Sequence, residues 1–151
     1  MPPGRQSHGK LRRKRYGKPV DTGLGPAEEG GGCIKERCVF VGPTRVRTAD
    51  YPAIDFFPPA ALGSVYRAME RGYRRIGIID GFFGNTPSVW HKEILFAISK
   101  GFEVSGAAST GALRASELAP YGMRGIGNIY RLYRRASIAD DDEVCVTHAI
   151  A

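Results

Sequence analysis

The chain has no run of about 18 apolar residues, so no segment qualifies as a membrane-spanning helix. The basic N-terminus is not followed by an apolar stretch, so a secretory signal of the usual kind is not expected. Cysteine is scarce: Cys33, Cys38 and Cys145 are an odd number for a disulfide framework, and a reduced, cytoplasmic setting is expected. Cys33 and Cys38 have no second pair at metal-binding spacing, so no metal is expected. Acid is absent from residues 1–20, which hold seven basic residues: Arg5, Lys10, Arg12, Arg13, Lys14, Arg15 and Lys18. Of the 22 basic residues this leaves 15 against 15 acids in 21–151, so the net charge of +7 belongs to the tail. A neutral domain with a basic extension is not expected to be a nucleic-acid binder.

What is present is one domain's worth of alternating pattern. Residues 1–32 are rich in Gly, Pro and charge without apolar periodicity, and are expected to be a disordered tail. From residue 38 to 151 apolar strands alternate with helices. The strands expected are Cys38–Val41, Arg75–Asp80, Phe102–Ala108 and Glu143–His148. Helices are expected over Ala60–Arg71, from an N-cap at Ser88 to about Lys100, over Gly111–Ala119 and over Ile129–Arg135. Residues 44–59 read as irregular because of Pro52, Pro58 and Pro59. The fold class is α/β: a small three-layer domain around a mainly parallel sheet of about four strands. Such sheets place their sites beyond the carboxyl ends of the strands, here after Val41, Asp80 and Ala108.

Ser109 stands at one of these ends, in Gly106-Ala-Ala-Ser-Thr-Gly-Ala112. Strand, serine, small turn and helix are the layout of a hydrolase nucleophile elbow, with Ala107 in place of its first glycine. The N–H groups of Thr110 and Gly111, at a helix start, would hold an oxyanion. Two other readings fit the same residues: Ser109 caps the helix, or the turn binds an anion such as phosphate. A serine nucleophile needs a base. Lys92 shares a stripe with Val89, Leu95 and Phe96, where partial desolvation favours a neutral amine, and Ser-Lys pairs are a known hydrolytic variant. The plain alternative is a lysine that snorkels to solvent or pairs with Glu93. Asp80 ends its strand toward the same edge, or caps a turn there. Arg114 and Glu117, three apart, bind a carboxylate or form a surface ion pair. The run Asp140–Glu143 reads as a solvated turn.

Asp80-Gly-Phe82, Trp90-His-Lys-Glu-Ile-Leu95, Gly106-Ala-Ala-Ser-Thr-Gly-Ala-Leu-Arg-Ala115, Gly122-Met123 and Asp141-Asp-Glu-Val144 occur in this order. Together they resemble the TfuA core domain, from about Val39 to His148. The resemblance implies an accessory role in peptide backbone thioamidation, a class of RiPP biosynthesis. Its members are understood to hydrolyse a thiocarboxylated ThiS-like sulfur-carrier protein and to help a YcaO enzyme bind its substrate. The partners implied are therefore YcaO, the carrier and the precursor peptide, with no cofactor held by this chain. The family's Ser-Lys pair falls on Ser109 and Lys92; His91 and Arg114 lie within the same motifs as support. Thr110 stands where methionine is usual, and the chain ends at Ala151 where such proteins usually continue. The non-hydrolytic expectations are a binding module that docks YcaO and its peptide, and an anion-binding α/β domain.

Overall fold

The computed structural model describes residues 36–42, 46–81 and 86–136. The expected tail 1–32, the acidic turn and the strand at 143–148 lie outside the described residues. Five strands are present: β1 Arg37–Phe40, β2 Ile54–Phe57, β3 Arg75–Ile78, β4 Glu103–Ala107 and β5 Arg124–Ile126. Four helices accompany them: α1 Ser64–Glu70, α2 His91–Ser99, α3 Ser109–Leu118 and α4 Gly127–Arg134. All strand pairs are parallel, in the order β2-β1-β3-β4-β5. This is the flavodoxin-like order of open α/β sheets, with its switch point between β1 and β3. Among the described residues no helix is long and apolar enough to cross a membrane.

The α/β class is as expected, but the strand list changes at both edges. The stretch 44–59 contains β2, which the prolines concealed. Pro52 and Pro58 flank this strand, and it sits at the sheet's edge, where a missing N–H costs no central ladder bond. The short β5 was hidden by glycines. Gly125 lies inside it because the Tyr130 ring occupies the space a Cβ would take. Helix α2 also begins later than its sequence suggested. Trp90, not Ser88, is its N-cap, and Ser88 instead bridges to Ala61. Leu62, just before α1, and Tyr66 within it are exposed; Ser64, Val65 and Ala68 are the buried residues of α1. Gly72 follows that helix with φ +87°, the left-handed conformation in which helices commonly end on glycine.

The core lies on one face of the sheet. In-register Cys38, Ile76 and Val104 form one buried row, and Phe40, Ile78 and Gly106 the next. Val65 and Ala68 of α1, Ile94 and Ala97 of α2, and Ala115 and Leu118 of α3 pack on these rows as one cluster. Each large aliphatic side chain so buried contributes about 1.5–3 kcal/mol. Chain handedness explains the one-sidedness. The β2–β3, β3–β4 and β4–β5 crossovers advance in the same direction, so right-handed connections place α1, α2 and α3 on one side. The β1–β2 connection runs the opposite way, and its described residues carry only a short 3₁₀ turn, Thr48–Asp50. The third layer expected on the other face is thus not built by the described residues. Val39, Gly77 and Ser105 there are only half-buried, beside a depression of about 220 Å³ that includes Arg37, Ile54 and Arg124.

Two glycines set how closely α3 approaches this sheet. A Cβ on Gly111 would overlap the Ile78 carbonyl, and one on Gly106 would overlap the Gly111 carbonyl. Both obstacles are backbone, so neither can swing aside. Gly111→Ala is expected to cost more than about 3 kcal/mol, or to abolish folding, as a steric overlap in a packed core does. A thermal melt within a few degrees of the parent would contradict this packing.

Burial also holds the Cys38 thiol in its neutral form. Desolvation, and then the nearby Asp55 charge, push its pKa from 9.0 up to about 12. Tyr73, which donates to Asp55 Oδ2 at 2.7 Å, is raised as well, by burial first. An unfolded thiol ionises near its ordinary value while the folded one keeps its proton, so high pH favours unfolding. The urea midpoint should fall as pH rises from about 9 towards 12. Cys38→Ala should show a shallower fall over the same window.

Candidate active site

The carboxyl ends of β1, β3 and β4 meet at one edge of the sheet. Asp80, just past β3, ties two of them together. Its Oδ2 accepts a hydrogen bond from the Gly42 N–H at 2.9 Å, its N–H donates to Phe40 O, and its carbonyl accepts from the Ala60 N–H at 2.9 Å. Gly42 must be glycine for this approach, since a Cβ there would stand 2.6 Å from Asp80 Oδ2. Asp80 therefore acts as a tether between loops. The next residue, Gly81, lies against the Thr110 side chain, whose Cγ2 would be 3.0 Å from an added Cβ. Thr110 is thus a wall of the β3 loop as well as part of the serine turn.

The turn from β4 into α3 bends through a conformation that side chains rarely adopt. Ala108 has φ 49° and ψ 175°, and Ser109 has φ 24°. Two successive non-glycine residues at positive φ cost of order 1–3 kcal/mol each and persist only where surrounding structure enforces them. Here the enforcement is visible: the Gly111 N–H reaches Ile79 O at 3.4 Å, and the Ala112 N–H donates to Ala108 O at 2.6 Å. The oxyanion expectation is corrected at this point. Gly111 spends its N–H on the sheet, which leaves the Thr110 N–H, with that of Ser109, as the donors at the helix start. The capping alternative also loses its footing. Ser109 is the first residue of α3 rather than its N-cap, and its Oγ has no hydrogen-bond partner among the described residues.

Helix α2 presents the other candidate. Its first turn reads His91-Lys92-Glu93, and the three side chains go three ways. Glu93 accepts from Trp90 N–H at 2.8 Å, from Gly63 N–H at 3.1 Å and from Val65 N–H at 3.2 Å, so one carboxylate serves the starts of both α1 and α2. The pairing of Lys92 with Glu93 does not occur. His91 turns to α3, where its Nε2 meets Glu117 Oε2 at 2.7 Å. Arg114 joins them, giving Nη1 to the same oxygen at 2.8 Å and Nε to Val89 O at 3.3 Å. Arg114 and Glu117 are therefore an interhelical link rather than a simple surface pair or a free carboxylate site. Lys92 itself is exposed and has no hydrogen-bond or ion-pair partner among the described residues. The desolvation expected from its stripe is not supplied by α2, because Phe96 on that stripe is 42% exposed. Ser109 and Lys92 share no hydrogen bond. Both stand in the opening turns of helices that start at the same sheet edge, since α2 and α3 each follow a parallel strand.

Residues 80–151 match the family model described as TfuA-like protein. Over these residues the chain is similar to that family. No curated protein matches the chain. The TfuA-like stretch begins at Asp80 itself and contains Lys92, the strained turn and Ser109. Three features of this edge escaped sequence reasoning. Glu93 occupies the third helical position, where a capping carboxylate belongs, but Trp90 three residues earlier gave no hint of a cap. His91 and Glu117 are 26 residues apart, beyond any local pattern. The strain at Ala108 has no compositional mark, because alanine is an ordinary strand-end residue.

That strain is measurable. Glycine adopts φ 49° and ψ 175° freely, so Ala108→Gly should leave stability unchanged or raise it by about 1 kcal/mol, against the usual loss for such a change. Destabilisation of the usual size by chemical denaturation would show that the turn is unstrained.

Proposed function

We propose that this TfuA-like chain is a thiocarboxylate hydrolase that releases sulfide from a ThiS-like sulfur-carrier protein for a YcaO enzyme. The observation that carries the reading is the strained β4–α3 turn. It holds a serine hydroxyl with no hydrogen-bond partner among the described residues at the carboxyl edge of a parallel sheet, beside the first N–H groups of a helix. Family membership of this stretch supports the same reading.

In the proposed reaction Ser109 Oγ attacks the thiocarboxylate carbon at the carrier's C-terminus, and Lys92 takes the hydroxyl proton. The Thr110 N–H, with the first-turn partial charge of α3, stabilises the oxyanion. The C–S bond then breaks, and Lys92 returns its proton to the departing sulfur, so that hydrosulfide leaves and an ester of Ser109 remains. Water, deprotonated by Lys92, adds to the ester carbon; the bond to Ser109 Oγ breaks, Oγ takes the proton back from Lys92, and the carrier leaves as a carboxylate with its acid proton passing to solvent. The exposed position of Lys92 means that the docked carrier, not the core, would strip water from it. An open sheet edge suits a protein with an extended tail better than it suits a small enclosed substrate. The second reading, a module that docks YcaO and the precursor peptide, draws on the exposed Tyr66, Trp90 and Phe96 of the α1–α2 surface.

Incubation with thiocarboxylated carrier, followed by intact mass, tests the choice. The carrier should exchange one sulfur for oxygen faster than in buffer alone. Ser109→Ala should slow this at least about a thousandfold, and Lys92→Ala about a hundredfold or more. A folded protein that gives only the buffer rate would remove the hydrolase reading and leave the docking module.

A further inference from the structure

The first turn of α2 is held from two sides, and Lys92 is the charged residue left between them. On one side Glu93 joins Trp90 N–H to the first turn of α1. On the other, Glu117 Oε2 takes both His91 Nε2 and Arg114 Nη1, while Arg114 Nε holds the Val89 carbonyl just before the helix. The His91 Nε2–H is used by Glu117, so the 3.4 Å approach of Arg114 Nη1 to that nitrogen is a contact rather than another hydrogen bond. Arg114 side-chain exposure is 16%, against 38% for Glu117 and 43% for His91, so the guanidinium is the buried anchor of the group. A surface ion pair alone is worth little. This one differs in what it joins: α3 begins with Ser109, and α2 carries Lys92 in the same turn as His91.

We propose that Glu117 is a positioning residue that sets Lys92 relative to Ser109, acting through His91 and Arg114. The proposal rests on the hydrolase reading for its catalytic consequence. Its structural content is independent: with Glu117 present, the α2 turn is bolted to α3 and the Lys92 backbone cannot drift from the serine turn. Without it, His91 and Arg114 lose their shared acceptor, and the turn keeps only the Glu93 contacts toward α1 and the Arg114 Nε–Val89 O bond. Misplacement of a base by about 1 Å is enough to slow a reaction by up to a hundredfold without weakening substrate binding.

The test compares Glu117→Ala with Glu117→Gln, which keeps an oxygen acceptor, on the full chain with thiocarboxylated carrier. Glu117→Ala should lower kcat about tenfold or more, with KM within about twofold, and Glu117→Gln should recover most of the loss. An unchanged kcat in Glu117→Ala, or a change confined to KM, overturns the proposal. A second readout needs no turnover. Acetylation of Lys92, mapped by peptide mass and divided by that of Lys100 at the far end of α2, should change about twofold or more in Glu117→Ala. Should the parent protein give only the buffer rate, the hydrolase reading fails; should Lys92→Ala leave hydrolysis intact, Lys92 is not the base. The labelling ratio still decides the positioning claim: unchanged, it overturns it; shifted, it supports it.

Discussion

The close approach of α3 to the sheet governs the rest of the candidate site. It is made by Gly106 and Gly111, whose missing side chains let helix backbone lie directly on strand backbone. That contact draws the Gly111 N–H to Ile79 O and forces Ala108 and Ser109 to positive φ. It also brings Thr110 against Gly81 and so joins the β4 turn to the β3 loop. A helix standing one methyl group further out would need none of this strain. The serine turn is therefore a consequence of packing, and its geometry is enforced by atoms that cannot relax.

The same sheet shows why, among the described residues, an order common to doubly wound folds has helices on one face. Right-handed crossovers assign each helix to a side by the direction in which the chain moves across the sheet. Three crossovers move one way, and the described residues of the fourth connection carry a 3₁₀ turn in place of a helix. The helices concentrate on one side, where they press on each other as well as on the strands. That crowding supplies the interhelical contacts of Glu93 and Glu117. With helices divided between the two faces, α2 would have fewer neighbours to bind its first turn.

Sequence pattern was informative where burial dictated residue type. Apolar runs at β1, β3 and β4, helical spacing in α1 and α2, and glycine at the end of α1 are each local signatures of a residue's own surroundings. Edge elements were less legible. In β2 and β5, proline and glycine are tolerated because one side of the strand has no partner, so their composition resembles that of loops. The site divided in a similar way. Ser109 stood out because a nucleophile turn requires small neighbours in sequence, and the loop after Asp80 because a parallel strand ends there. The stripe argument for Lys92 misled, since a helix face can be apolar and still point outward, as Phe96 does.

By itself, the sequence determined the α/β alternation, the parallel sheet and the three strand ends where a site can lie. It also carries the likeness of residues 80–151 to the TfuA-like family model, because these follow from residue order within short segments. Tertiary structure decided which N–H groups remain for an anion, that Ser109 begins its helix instead of capping it, and that Glu93 and Glu117 clamp the turn carrying Lys92. Those outcomes depend on groups 26 or more residues apart meeting at distances near 3 Å, and no local pattern encodes such a meeting.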